Sequence, residues 1–239
     1  MLKYYISTII FFLAFLFVSG LALATDLDTE ASVIAVGDNL IHPEVYNDAK
    51  TGQDSFNFKP MYEPVKKDIQ DADIAYVNQE SPLGGDDRPY HGFKRFNTPS
   101  SIAKDLVDTG FNFVNGSNNH AIDQGESGVN NNIHTWEKFK DKVLFTGIFN
   151  SQEAHDNIPT KTVNGIKVSM LSYTFGTNGI KPPHPYTIKT FDEEQIKKDV
   201  KEAKKHSDAV IVSAHWVMKD NINKTKRRKN MLKSSLMLV

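Results

Sequence analysis

Apolar positions fall into short runs whose spacing switches repeatedly between two residues and about three and a half. Residues 32–36 (SVIAV) are a β-branched run ending at Gly37-Asp38, which predicts a buried strand opening into a loop. In 62–71 (YEPVKKDIQD) Val65 and Ile69 stand one helical turn apart, and 73–78 (DIAYVN) predicts the next strand. Residues 81–97 are rich in Gly, Pro and charge and read as a loop. Ser100-Ser101 can cap a helix over 102–109, with Gly110 at its end. The alternating 111–115 (FNFVN) predicts a strand, 116–125 a polar loop and 128–140 a helix. Residues 143–146 and 161–173 read as strands, the latter a hairpin through Asn164-Gly165. A Pro-rich loop (181–185), a charged helix (192–206) and a strand (208–215, DAVIVSAH) come next, and no internal repeat is evident.

Strands alternating with helices predict an α/β domain with a largely parallel sheet, and ligands in such domains sit beyond the carboxyl ends of the strands. That rule selects Asp38, Glu80, Asn118-Asn119-His120 and His215, each following a predicted strand. All are metal-ligand or proton-transfer types. The alternative roles are plain: Asp38 as a helix cap, the two Asn as turn formers, His215 as a core histidine beside Trp216. The remaining histidines (His91, His134, His155, His184, His206) read as surface or loop residues.

Composition narrows the classes. With 239 residues, 39% apolar, 24% charged, 15 Phe and 8 Tyr, the chain can bury a core and is not a disordered protein. The absence of Cys excludes a disulfide scaffold, a zinc-thiolate site and a cysteine nucleophile. The net charge of −1 conceals an asymmetry: residues 219–239 carry +6 and the rest of the chain −7. A body this acidic repels polyanions through its general field, which argues against a nucleic-acid partner.

Residues 1–24 carry one charge, Lys3, followed by 21 uncharged residues with the core IIFFLAFLFV. With Ala22-Leu23-Ala24 before Thr25, this fits a secretory signal; the same stretch is long enough to span ~30 Å of hydrocarbon as an uncleaved anchor. Either way the positive end stays inside and the remainder is exported, membrane-attached and outward-facing or secreted. The expected organisation is a signal or anchor (1–24), a linker (25–30), one domain (31–216) and a basic tail (217–239).

Four segments, AVGDNLIH (35–42), YVNQESPLGG (76–85), GFNFVNGSNNHAIDQG (110–125) and VIVSAHW (210–216), resemble in order and spacing the CapA-type poly-γ-glutamate capsule synthesis proteins, distant relatives of the calcineurin-like metallophosphoesterases. The resemblance implies a four-layer α/β/β/α sandwich. It further implies a membrane-anchored, outward-facing protein that assists poly-γ-glutamate synthesis, export or attachment beside membrane-bound synthase subunits. By position, Asp38, Glu80, Asn119 and His215 match metal ligands and His120 matches the histidine beside the site. Carboxylates and an amide oxygen suit Mg²⁺ or Mn²⁺, and imidazole extends the choice to Fe or Zn²⁺. His120 would then donate a proton or stabilise developing charge.

The departures from the metallophosphoesterase pattern are definite. The first strand is followed by Asp38-Asn39-Leu40 in place of Asp-x-His, with His42 expected to point elsewhere. Glu80 replaces a bridging Asp, and the final Gly-His-x-His pair is absent. After Trp216 the family continues Gly-acidic-acidic; here 217–239 read VMKDNINKTKRRKNMLKSSLMLV. Restoring one lost G after the Trp216 codon can recover Trp-Gly-Asp-Glu and then an amphipathic helix. The expectation is therefore a frameshift after Trp216 and a sandwich incomplete at its C-terminal end. A competing expectation makes the basic tail a contact for anionic lipid or polymer. The functional expectations are a capsule-assembly accessory, which the truncation would leave a non-functional remnant, an exported metal-dependent phosphoesterase, or a scaffold carrying a relic site.

Overall fold

Period-two alternation sorts each strand's side chains between two faces, and the computed structural model, which describes residues 29–216, shows where each face goes. Strands β1 (Val33–Asp38), β2 (Ile74–Asn78), β3 (Phe113–Asn115) and β4 (Leu144–Thr146) form a parallel sheet in the order β1-β2-β3-β4. Strands β5 (Thr160–Val163), β6 (Ile166–Thr174) and β7 (Ala209–His215) form a second sheet, β5 antiparallel and β7 parallel to β6. Ile74, Phe113 and Leu144 of the first sheet meet Val163, Val168 and Met170 of the second. The opposite face of the first sheet, through Ala75, Val77 and Val114, packs on helices α2 (Lys59–Asp71) and α3 (Ser101–Thr109). Trp136 of α4 (Gly125–Glu137) joins the same cluster. Leu171, Tyr173 and Val210 of the second sheet pack on Ile196, Val200 and Ala203 of α6 (Glu193–Ala203). The layers therefore run helix, sheet, sheet, helix, as the resemblance implies.

The expected elements fall within a few residues of the observed ones. The hairpin between β5 and β6 turns through Asn164 (φ 49°) and Gly165 (φ 84°), the two left-handed residues a two-residue turn requires. Gly110 ends α3 at φ 123°. Two short helices, α1 (Pro43–Asp48) and α5 (Gln152–Asp156), lie outside the expected set, since one turn of helix leaves no periodicity to read. Ser100 corrects a second expectation: it precedes α3 with helical dihedrals and no side-chain cap, and its N–H donates to Asp86 Oδ1 at 2.9 Å.

Strand β1 is irregular at its carboxyl end. It pairs with β2 as Ala35↔Tyr76 but then as Asp38↔Asn78, one residue out of step. In strict alternation Asp38 would face the helices; the extra residue turns it toward the inter-sheet side beside Asn78. Among the described residues no helix is long and apolar enough to cross a membrane. The segment expected to be a signal or anchor (1–24) and the tail (217–239) lie outside them.

The inter-sheet layer predicts a large cost for truncation. Phe113→Ala, at a fully buried position, should lower stability by about 3–5 kcal/mol, whereas Val33→Ala, at a 58% exposed position, should change it by less than about 0.5 kcal/mol. Urea unfolding midpoints check both; equal shifts would contradict the layer assignment.

Candidate functional site

Asn78, Asn115 and His215 end strands whose inward residues form the inter-sheet core, so they emerge as a polar rim on that core. Asn78 is the hub. Its Nδ2 donates to Asp38 Oδ1 (2.7 Å) and to His215 Nδ1 (3.1 Å), and its Oδ1 accepts from Asn115 Nδ2 (2.8 Å) and Asn118 Nδ2 (3.3 Å). His215 comes from the other sheet, and its Nε2 donates to Asn119 Oδ1 at 2.7 Å. With Nδ1 accepting and Nε2 donating, the ring is a neutral tautomer. Burial, the largest effect, lowers its pKa, against the opposing pull of Asp38.

Glu80 completes the floor. It is 7% exposed, with Oε1 3.8 Å from His215 Nε2. Burial first, then the charge of Asp38 and a hydrogen bond shared with it, push Glu80 up to about 7. The bulge in β1 thus sets two carboxylates against each other.

His120 sits beside this floor, held from below. Its backbone N–H donates to Asn118 Oδ1 (3.0 Å), and its Nδ1 lies 2.7 Å from Asp123 Oδ2, which also accepts from Phe96 N (2.8 Å). That contact fixes Nδ1 as the protonated nitrogen and leaves Nε2 for the cleft. Gly147 (φ 114°) supports the loop before it: a Cβ there would stand 2.5 Å from Ser117 N.

Asp38, Glu80, Asn119, His120 and His215 all line one cleft of about 720 Å³. The sequence-predicted residues therefore meet at one edge. His42 corrects an expectation: it lines the same cleft, its ring edge-on to Phe96 at 5.0 Å. Sequence reasoning misses Asn78, Asn115 and Asp123. The signals are present, an Asn closing two successive strands and His-x-x-Asp at 120–123, but terminal Asn reads equally as a turn residue.

Lys94 and Arg95 line the cleft above the floor. Gln124 Nε2 donates to Phe96 O (2.9 Å) and Arg95 Nη1 to Asp123 O (3.3 Å), which fastens this loop to the one carrying Asn119 and His120. Neither cation has a carboxylate within 4.0 Å among the described residues.

The donor types on this floor, carboxylates, an amide oxygen and an imidazole, suit a divalent metal. Among the described residues no three His, Asp or Glu side chains converge as a metal-holding group. Both nitrogens of His215 are engaged by amides, and Asn119 Oδ1 takes the hydrogen of His215. Within the expected ligand set Asp38, Glu80, Asn119 and His215, His215 is bonded to Asn119 and stands 3.5 Å from Asp38 and 3.8 Å from Glu80.

The family model for the bacterial capsule synthesis protein PGA_cap matches residues 32–237, most of the chain and every strand described above. The chain belongs to this family. It is 29% identical over 121 residues to the PGA biosynthesis protein CapA of Bacillus subtilis (strain 168), covering 50% of this chain and 32% of that protein. It is 25% identical over 167 residues to the capsule biosynthesis protein CapA of Bacillus anthracis, covering 65% of this chain and 40% of that protein. The matched part is thus less than half the length of either relative.

Glu80 makes stability depend on pH in a stated direction. Its folded pKa lies above its ordinary 4.5, so its contribution is full below pH 4.5 and is lost as pH rises through about 7. Allowing for water in the cleft, the loss amounts to ~1–3 kcal/mol. Thermal unfolding of wild type and Glu80→Gln at pH 5 and pH 8 should show wild type losing ground to the variant at the higher pH. Parallel profiles would contradict the assignment.

Proposed function

We propose that the protein is an extracytoplasmic accessory in the synthesis, export or attachment of a poly-γ-glutamate capsule, held at the membrane through its first 24 residues beside membrane-bound synthase subunits. The observation that carries this reading is the pair of cations Lys94 and Arg95, without a carboxylate within 4.0 Å among the described residues, on the cleft of a family member whose curated relatives are named for capsule biosynthesis. An acidic body repels a polyglutamate chain, so the chain must be met by a local reversal of sign. Lys94 and Arg95 supply it, and the bond from Arg95 Nη1 to Asp123 O ties their loop to the one that carries His120.

The His120–Asp123 contact favours a second reading, an exported hydrolase in which His120 Nε2 gives or takes a proton at the substrate. That reading expects phosphoester turnover that collapses in His120→Ala. A phosphoester panel with added Mn²⁺ that gives no turnover removes it.

The first reading is tested with immobilised poly-γ-glutamate and the full-length chain. The double reversal Lys94→Glu/Arg95→Glu should weaken binding at least about tenfold, ~1.4 kcal/mol, with a shallower dependence on salt. Retention unchanged by the reversal would reject the cleft as the polymer contact.

A further inference from the structure

We infer that the cleft reads the amino terminus of a γ-linked glutamate chain: the α-ammonium group sits on the acidic floor, and the α-carboxylate on the same carbon faces the basic rim. This rests on the capsule reading above and adds which part of the polymer is held.

The floor asks for a cation. Asp38 and Glu80 face the same space, and Glu80, though only 7% exposed, has no N–H of the described residues within hydrogen-bond distance. The nearest ring nitrogen, His215 Nε2, stands 3.8 Å from it and gives its hydrogen to Asn119 Oδ1. A carboxylate this buried normally meets a positive partner, and among the described residues none is hydrogen-bonded to it. An ammonium group brings three N–H donors on one compact charge, a match for two carboxylates and the Asn119 amide oxygen.

The rim asks for an anion, because Lys94 and Arg95 face the cleft without carboxylate partners among the described residues. Leu40 and Ile180 also line it, giving apolar wall for the side-chain methylenes. A floor of one sign under a rim of the other fits a zwitterion. In a γ-linked glutamate polymer every residue carries an α-carboxylate, but interior nitrogens are uncharged amides. Only the first residue presents ammonium and carboxylate on one carbon, so this site separates a chain end from its interior. The pocket size, about 720 Å³, accommodates an end residue with the start of its chain.

Calorimetry on the full-length protein in chelator tests this with three ligands: a tetra-γ-glutamate with a free amino terminus, the same peptide N-acetylated, and free glutamate. The free-amine peptide should bind at least about tenfold tighter than the acetylated one, and Asp38→Asn should bring that ratio close to one. Lys94→Gln should weaken both peptides alike. Equal affinities for the two peptides, or binding that appears only after Mn²⁺ is added, would overturn the inference while leaving the capsule reading standing. Free glutamate binding as tightly as the peptide would overturn the chain-end assignment in favour of the monomer. No binding of any ligand, with or without Mn²⁺, would remove the capsule reading and this inference together.

Discussion

The hydrogen bond between Asn78 and His215 joins the two sheets at the edge where their inner faces meet water. Apolar side chains fill the layer between the sheets as far as Met170 and Ile211, Tyr76 bonds Ser213 across it, and beyond them the strands end in polar groups that satisfy one another. Asn78 has four partners for its four amide valences, drawn from Asp38, His215, Asn115 and Asn118. Such a saturated amide is worth more than its individual bonds, because each partner removed leaves a buried group unpaired. His215 in turn positions Asn119, and with it the segment from Asn118 to His120. The cleft floor is thus an extension of the core, built from residues whose first duty is to close it.

That dual duty explains which parts of the protein are legible in the sequence. β-Branched runs, a turn at Asn164-Gly165 and Gly110 after a helix each have one local physical meaning, and the structure obeys them. Asp38, Glu80, Asn119, His120 and His215 are identifiable because each ends a strand or follows one, and parallel strands deliver their ends to one edge. Asn78 and Asn115 are not, because an Asn at the end of a strand has two meanings and only the second sheet decides between them. The bulge that turns Asp38 inward is equally silent: nothing in Val36-Gly37 distinguishes an extra strand residue from the first residue of a loop. The place of His42 is hidden for a related reason, since it is set by the short helix α1, too brief to leave a periodic trace.

The electrostatics of the cleft stem from the same construction. Carboxylates at the ends of neighbouring strands are brought together by register, and burial first, then the charge of Asp38, lifts Glu80 to about 7. The cations that answer them come from a different part of the chain, a loop bonded through Asp123 and Gln124 to the segment that carries His120. Charge of one sign is thus fixed by the sheet and of the other by a loop.

Nitrogen NMR of the His215 ring tests the central claim most directly, since its tautomer reports both inter-sheet contacts at once. The neutral ring, protonated at Nε2 and bare at Nδ1, should be the dominant form at pH 7 to pH 8. A ring doubly protonated at neutral pH, or protonated at Nδ1 alone, would contradict the Asn78–His215–Asn119 chain on which the floor of the cleft is built.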